Sequence, residues 1–287
     1  MSLSFEQMMS HPDRRAIVRH LASAFLELHA ADPLTGAVFS TQQRWLMAQV
    51  GIALYFRELT GDGPPAYTAS VLDKVEAEQI AARNTAHAFM LEMLKYGVVQ
   101  YRSPEKKGKV RLLCLPDSMV AAITGWINLH LHMLDCFDGG CRSATFQRVP
   151  QSVRIVQPAV ADELAASRSM RLPQGAFANF TWLKDGGHLM DQLIAGLEPG
   201  PEQAERTLTN IVSITELAEQ VKVSRTHLGR KLMVAEQGGF LGWTGRRGHS
   251  TLWLSAAFRK EYEAYQINKL ALVERAFDTV SARLLAS

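Results

Sequence analysis

Apolar residues recur at helical spacing along most of this 287-residue chain, and the spacing changes to that of strands in only two short segments. The helical spacing predicts helices over residues 14–29, 41–59, 68–75, 83–96, 116–137, 155–170, 177–197, 215–221, 225–236 and 256–285. The two exceptions predict hairpins, with strands 98–101 and 110–115 around one loop and strands 240–243 and 251–254 around the other. The predicted fold class is therefore mainly α, with small β-hairpins.

The same order of elements occurs twice along the chain. In each half, several helices are followed by a helix pair, a basic hairpin and a long helix. The segment Gly97-Val-Val-Gln-Tyr matches Gly239-Phe-Leu-Gly-Trp at an offset of 142 residues. We therefore predict an internal duplication with domains 1–145 and 146–287, although any helical protein with two hairpins can be aligned in this way.

Positive charge is concentrated at two places. The net charge of the chain is only +3, but residues 102–111 carry five basic residues and one acid. Residues 225–259 carry six basic residues and one acid. The rest of the chain is therefore net acidic, and the two basic windows predict contact with a polyanion.

Several classes of protein are disfavoured by what the sequence lacks. It has no apolar run long enough to span a membrane and no secretory signal at its N-terminus. Its three cysteines, Cys114, Cys136 and Cys141, favour a reducing compartment. The common phosphate-loop, dinucleotide, zinc-protease and nucleophile-elbow motifs are absent. We expect a cytoplasmic protein with no membrane partner, no cofactor, no metal and no enzymatic activity.

Residues 213–232, Ser-Ile-Thr-Glu-Leu-Ala-Glu-Gln-Val-Lys-Val-Ser-Arg-Thr-His-Leu-Gly-Arg-Lys-Leu, resemble a helix-turn-helix motif. The resemblance implies a small core of Leu217, Ala218, Val221, Val223 and Leu228. It also implies that Ser224 caps the second helix and faces DNA, together with Arg225, Thr226, His227, Arg230 and Lys231. The motif usually has glycine in its turn, and this chain has Lys222. A surface helical hairpin with solvated charges is the alternative.

The hairpin after this helix pair resembles the wing of a winged helix-turn-helix domain. Arg246 and Arg247 lie at its predicted tip, flanked by glycines, with His249 close by. In such a wing these side chains would reach a phosphate or the minor groove. A loop whose charges are merely solvated is the alternative.

The first half resembles the MarR family. Residues 83–99 are similar to the recognition helix and first wing strand of that family, with the sequence Leu94-Lys-Tyr-Gly-Val-Val. Arg111 matches an arginine near the second wing strand, but the aspartate that often precedes it is missing. Residues 76–82 are also longer and more polar than the usual turn. The resemblance implies DNA contacts from Arg83, Asn84, Thr85, His87, Arg102, Lys106, Lys107, Lys109 and Arg111.

The resemblance covers residues 40–115 and 177–254. MarR-like proteins usually carry one such domain per chain and act as homodimers. Two domains in one chain imply a pseudo-dimer that reads two unlike half-sites in double-stranded DNA. The implied function is a transcription regulator, by family default a repressor, with a small-molecule effector as a further expected partner. Whether the chain works alone or as a homodimer stays open.

Two features are candidates for sensing a signal. A group of metal- and redox-capable residues comprises His130, His132, Asp135, Cys136, Asp138 and Cys141. Its spacing fits no strong zinc pattern, so a helix end capped by Gly139-Gly140 is favoured over a zinc or redox site. Trp45, Phe56 and Trp126 could line an effector cleft, but aromatic residues at helical spacing more often form core.

Two other functions remain as alternatives. A plasmid-type replication initiator can also carry two unlike winged helix domains, and it binds repeated sites. A protein-interaction adaptor would use winged domains that no longer bind DNA. Basic residues on both predicted wings favour DNA binding over the adaptor.

Overall fold

The computed structural model describes residues 2–31, 36, 39–103, 111–149, 151–181 and 183–285. This part of the chain is mainly helical with small antiparallel sheets, as predicted. The helices are Phe5–Ser10 (α1), Arg14–Ala31 (α2), Gln42–Thr60 (α3), Thr68–Ala77 (α4), Arg83–Lys95 (α5), Asp117–Asp138 (α6), Arg142–Arg148 (α7), Ser152–Ala166 (α8), Arg168–Arg171 (α9), Gly175–Thr181 (α10), Gly186–Ala195 (α11), Ile214–Gln220 (α12), Arg225–Gln237 (α13) and Ala256–Leu285 (α14). The strands are Gln100–Tyr101 (β1), Leu113–Cys114 (β2), Arg206–Leu208 (β3), Leu241–Trp243 (β4) and Leu252–Ser255 (β5). None of the helices described here is both long and apolar enough to cross a membrane.

The prediction of one helix over residues 177–197 is wrong. Helix α10 ends at Thr181, and α11 begins only at Gly186. Asp185 adopts a left-handed conformation with φ of 58°, which ends any helical path through it. A Cβ on Gly186 would lie 1.8 Å from the carbonyl oxygen of Phe180, so only glycine permits this close approach.

The chain forms two compact units, and neither is a continuous half of the sequence. The first unit comprises Met1–Met8, Gln43–Arg171 and Asn268–Ser287, and the second comprises Met9–Gln42 and Leu172–Ile267. Each unit contains one helix pair and the hairpin that follows it. The unit boundaries therefore differ from the cut between residues 145 and 146, and the duplication stays a prediction.

The first unit holds a two-stranded sheet that is shorter than predicted. Gln100 pairs with Cys114 and Tyr101 pairs with Leu113 in antiparallel register. An isolated bridge between Tyr67 and Leu112 brings the start of α4 to the same strand. The strand predicted over residues 110–115 is thus reduced to two residues, with residue 110 outside the described part.

An ion-pair network around the buried Glu274 lies at the end of α6 in the first unit. The Nε and Nη2 atoms of Arg142 donate to Glu274 at 2.6 and 2.7 Å, and its Nη1 atom lies 2.8 Å from Asp138. Asp135 accepts from the backbone N–H of Arg142 at 2.9 Å, and Glu274 is fully buried. The Asp138 carboxylate, followed by Glu274, raises the pKa of Arg142, so the guanidinium stays charged. Asp135 and Asp138, two members of the predicted metal- and redox-capable group, therefore bind Arg142.

The second unit holds a three-stranded antiparallel sheet in the order β3-β5-β4. The two strands of its hairpin lie within one residue of their predicted positions. Strand β3 was not predicted, because Arg-Thr-Leu has no alternation of its own. It forms by pairing with β5, where Thr207 lies opposite Leu254.

We expect the stability of the second unit to fall as the pH decreases from 7 to 4.5. Burial, followed by the stacked ring of His29 at 4.0 Å and the charge of Lys222, lowers the pKa of His188 to about 4. Between pH 6.5 and 4 the unfolded chain therefore binds a proton that the folded chain does not. Because His188 is only partly buried, the expected loss is about 1–2 kcal/mol.

Urea denaturation at several pH values measures this loss. The variant His188→Gln is expected to show a smaller decrease over the same range. Burial, followed by the charge of Lys269, also lowers the pKa of His130 in the first unit, so part of the decrease persists in the variant. An equal decrease in wild type and variant would contradict the assignment to His188.

Candidate nucleic-acid interface

The helix pair α12–α13 of the second unit is capped at both N-termini by serine side chains. The Oγ atom of Ser213 accepts from the backbone N–H of Glu216 at 3.3 Å. The Oγ atom of Ser224 accepts from the backbone N–H of His227 at 3.2 Å. The predicted cap is confirmed, and it fixes where α13 begins.

Four of the five predicted core residues of this pair are buried. Leu217, Ala218, Val221 and Leu228 are each at most 3% exposed. Val223 is only half-buried, because it lies in the turn and not on a helix. The small side chain of Ala218 fits the close helix contact that the motif requires.

The turn between α12 and α13 contains a left-handed residue, as the helix-turn-helix resemblance implies. Lys222 has φ of 52° at the position where the motif usually has glycine. The backbone N–H of Val223 then reaches the carbonyl of Ala218 at 3.1 Å. The chain therefore adopts the turn despite the energetic cost for a side chain with a Cβ.

The helix pair α4–α5 of the first unit repeats this turn. Gln79 has φ of 56° and lies 143 residues before Lys222. The backbone N–H of Ile80 reaches the carbonyl of Val75 at 3.1 Å, and both residues again lie 143 positions before their counterparts. The same backbone geometry thus occurs in the turns of both helix pairs, and the duplication stays a prediction.

We expect Lys222→Gly to raise the free energy of unfolding by about 0.5–1 kcal/mol, because glycine adopts the left-handed region without steric cost. Chemical denaturation measures the change. Lys222→Ala is the matched control and should give no comparable gain, since alanine keeps the Cβ. An equal gain in the free energy of unfolding in both variants would contradict the claim that the left-handed backbone at Lys222 is strained.

Helix α13 has one buried and one exposed face. Leu228, Leu232 and Ala235 are buried. Lys231 is half-buried, and its carbonyl accepts from the side chain of Asn179 at 3.3 Å. The exposed residues are Ser224, Arg225, Thr226, His227, Arg230, Met233, Val234 and Gln237. Of the predicted DNA contacts on α13, Lys231 is thus the one turned partly inward.

Helix α5 buries the equivalent positions, 142 residues earlier. Ala86, Met90 and Met93 are buried, and the predicted contacts are exposed: Arg83, Asn84, Thr85 and His87. Arg83 forms ion pairs with Asp73 and, at 3.7 Å, with Glu76. The counterpart of Arg83 is Arg225, which forms no ion pair with the described residues. The two helices therefore present different charges.

The DNA-contacting residues predicted around the first hairpin either contact other residues of the first unit or lie outside the described part of the chain. Arg102 forms an ion pair with Glu58 at 2.8 Å. The guanidinium carbon of Arg111 lies 3.6 Å from the ring centroid of Tyr101. Lys106, Lys107 and Lys109 lie outside the described residues. Among the described residues, Arg102 and Arg111 thus both have partners within the first unit.

The two arginines of the second hairpin have different environments. Arg246 is exposed, and its carbonyl accepts from the backbone N–H of His249 at 3.0 Å. His249 is exposed beside it. Arg247 turns back onto α13, where Nε donates to Glu236 at 2.9 Å and Nη2 to the carbonyl of Gly229 at 2.7 Å. Arg246 is therefore the arginine available to a partner.

Glu236 is a structural residue that the sequence interpretation missed. Its carboxylate accepts from the indole Nε1 of Trp243 at 3.0 Å as well as from Arg247. These hydrogen bonds connect the β4–β5 hairpin to α13. The available signal was that Glu236 is the only acid in the basic window 225–259.

The His/Cys segment forms a helix end. Gly139 has φ of 70° and ends α6, as its sequence suggested. Within the described residues, no group of three His, Cys, Asp or Glu could hold a metal ion. Cys136 and Cys141 are free thiols, and burial, followed by the charge of Asp135, raises the pKa of Cys136. A raised pKa lowers the thiolate fraction and with it the reactivity of Cys136.

The aromatic residues considered for an effector cleft pack within the first unit. Phe56 is buried, and the rings of Trp45 and Trp126 lie 5.7 Å apart. The ring centroid of His130 lies 3.9 Å from that of Trp126 in a tilted arrangement, and His130 is fully buried. These contacts support the interpretation as core.

The chain matches no protein-family model, no curated protein and no solved structure.

Proposed function

We propose that this protein is a sequence-specific, double-stranded DNA-binding transcription regulator with winged helix-turn-helix domains. In the second unit, the elements follow the order α11, β3, α12, α13, β4, β5, and the sheet order is β3-β5-β4. A strand before the helix pair and a hairpin after it is the arrangement of a winged helix domain. By the MarR resemblance, it represses by occupying a promoter in the cytoplasm.

The exposed basic face of α13 is the observation that carries this proposal. The helix has 13 residues, which gives a length of about 20 Å and suits the major groove. Arg225 and Arg230 can pair with guanine edges or with phosphates, and Thr226 can contact base edges. Arg246 on the hairpin adds a phosphate contact beside the groove.

The two units are proposed to contribute unequally to the affinity for the two DNA half-sites. Arg83 and Arg102 already pair with carboxylates of the first unit, so each would have to exchange one anion for another on binding. Arg225, Arg230 and Arg246 carry no such pairing among the described residues. The second unit would therefore dominate base recognition.

Fluorescence anisotropy tests the proposal, with DNA from the promoter beside the protein's own gene and random DNA as control. About four phosphate contacts predict a roughly 100-fold loss of affinity between 50 and 200 mM salt. Preferential binding to the promoter supports a regulator. Failure to bind either DNA at low salt would overturn the proposal, and equal binding would leave a non-specific DNA-binding protein. Protection of an array of repeats would instead indicate a replication initiator.

A protein-interaction adaptor is a second candidate, favoured by one surface of the first unit. Leu91 on α5 is 55% exposed, and Tyr96 just after it is 47% exposed. Exposed apolar side chains of this size suit a protein partner better than DNA. Reversing the charge of Arg225 and Arg246 to Glu would leave an adaptor functional and abolish DNA binding by a regulator.

A further inference from the structure

A cleft of about 460 Å³ in the second unit lies apart from the helix pair and the hairpin loop. One wall is a face of α2, which contributes Arg15 and Arg19 one helical turn apart. The start of α14 contributes Arg259, and strand β3 contributes Thr207. Its volume is within the range of small-molecule sites.

Two buried hydrogen-bond donors in this cleft lack an acceptor. Arg259 is 3% exposed, and its Nη2 atom donates to the carbonyl of Ala204. Its buried Nε atom and the buried hydroxyl of Thr207 have no hydrogen-bond partner among the described residues. A buried donor without a partner costs free energy, which a ligand oxygen would recover.

The charged residues that line the cleft include the arginines Arg15, Arg19 and Arg259 and the carboxylates Glu198 and Glu263. Glu263 lies 3.4 Å from the Nε of Arg14 and 3.3 Å from the Nε of Arg15, and Glu202 pairs with the same two arginines, so Arg14 and Arg15 are already matched by two carboxylates. Arg259 has no ion pair with the described residues. Burial, followed by the charge of Arg15, lowers the pKa of Arg259, while the carboxylates of Glu263 and Glu202 act in the opposite direction.

We propose that this cleft binds a small molecule that carries a phosphate group. Guanidinium groups bind phosphate oxygens through paired hydrogen bonds, and the phosphate would pair with Arg19 and Arg259, which have no ion pair with the described residues. No Phe, Tyr or Trp is among the residues that line the described cleft, so a flat aromatic acid would find no stacking partner. Val18, Ile194 and Leu197 supply an apolar side for a short carbon chain.

Isothermal titration calorimetry of the full chain with inorganic phosphate tests this assignment. We expect saturable binding that weakens at least tenfold in Arg19→Gln. Arg275→Gln is the matched control, because Arg275 is exposed in the first unit and lies outside the cleft. No binding by the wild type up to 20 mM phosphate, or equal affinity in all variants, would overturn the proposal.

Thr207→Val separates a binding role from a structural one. The substitution keeps the shape of the side chain and removes a hydroxyl that has no partner, so the thermal midpoint without phosphate should not fall. The affinity for phosphate should fall by about fivefold, because one donor is lost. A lower thermal midpoint with unchanged affinity would contradict the site, and tighter binding of succinate than of phosphate would overturn the choice of anion. None of these outcomes depends on DNA binding.

Discussion

Replacing Arg142 with Met is expected to lower the free energy of unfolding by about 3–5 kcal/mol, the largest effect on stability that we anticipate. Arg142 donates to Glu274 through two nitrogens at 2.6 and 2.7 Å, and Glu274 is fully buried. The substitution keeps much of the volume but leaves a buried carboxylate without its cation. Glu274 then retains the backbone N–H of Leu3 at 3.0 Å, which cannot balance the charge.

Urea denaturation measures this loss, with Arg148→Met as the matched control. Arg148 lies at the exposed end of the same short helix, so its replacement should change stability by less than about 0.5 kcal/mol. The double variant Arg142→Met with Glu274→Gln should recover part of the loss, because the buried charge is removed. A loss below 1 kcal/mol in Arg142→Met would show that the network contributes little.

Arg230→Ala is expected to weaken binding to the target DNA by about 10–100-fold, the largest effect on function that we anticipate. Arg230 is exposed on α13, next to Thr226 and Arg225, and no described acid pairs with it. A base-edge contact predicts a smaller loss on random DNA than on the target. A pure phosphate contact predicts the same loss on both.

Arg83→Ala is the comparison that tests the asymmetry between the two helix pairs. Arg83 occupies the place of Arg225 in the first unit but pairs with Asp73 and Glu76. Its replacement should change the DNA affinity by no more than about twofold, because the neighbouring carboxylates of Asp73 and Glu76 would repel a phosphate. A loss as large as that of Arg230→Ala would mean that both units read DNA equally.

Local chemistry explains which elements the sequence could predict. The helical spacing of apolar residues predicts the observed bounds of α14. It also predicts the bounds of α13 to within one residue, because a capping serine precedes this helix and a glycine follows it. Ser224 caps α13 as expected, and Lys222 takes the left-handed turn that the motif requires. These features depend on residues that are neighbours in the sequence, so they can be predicted from one sequence.

The features that escaped prediction depend on contacts distant in the sequence. Strand β3 exists because β5 pairs with it, and the break before Gly186 depends on the carbonyl of Phe180. Arg247 was expected to contact DNA, but its side chain forms an ion pair with Glu236 on α13. The cleft joins Arg15 to Arg259, which lie more than 240 residues apart, so only the folded chain brings them together.

The salt dependence of DNA binding tests the central claim most directly, by comparing the wild type with the double variant Arg225→Ala and Arg246→Ala. Each lost phosphate contact lowers the slope of log affinity against log salt by about 0.9. If both residues bind phosphates, the slope of the double variant will be smaller by nearly 2. An unchanged slope, or binding that does not depend on salt in the wild type, would contradict a DNA interface on α13 and its hairpin.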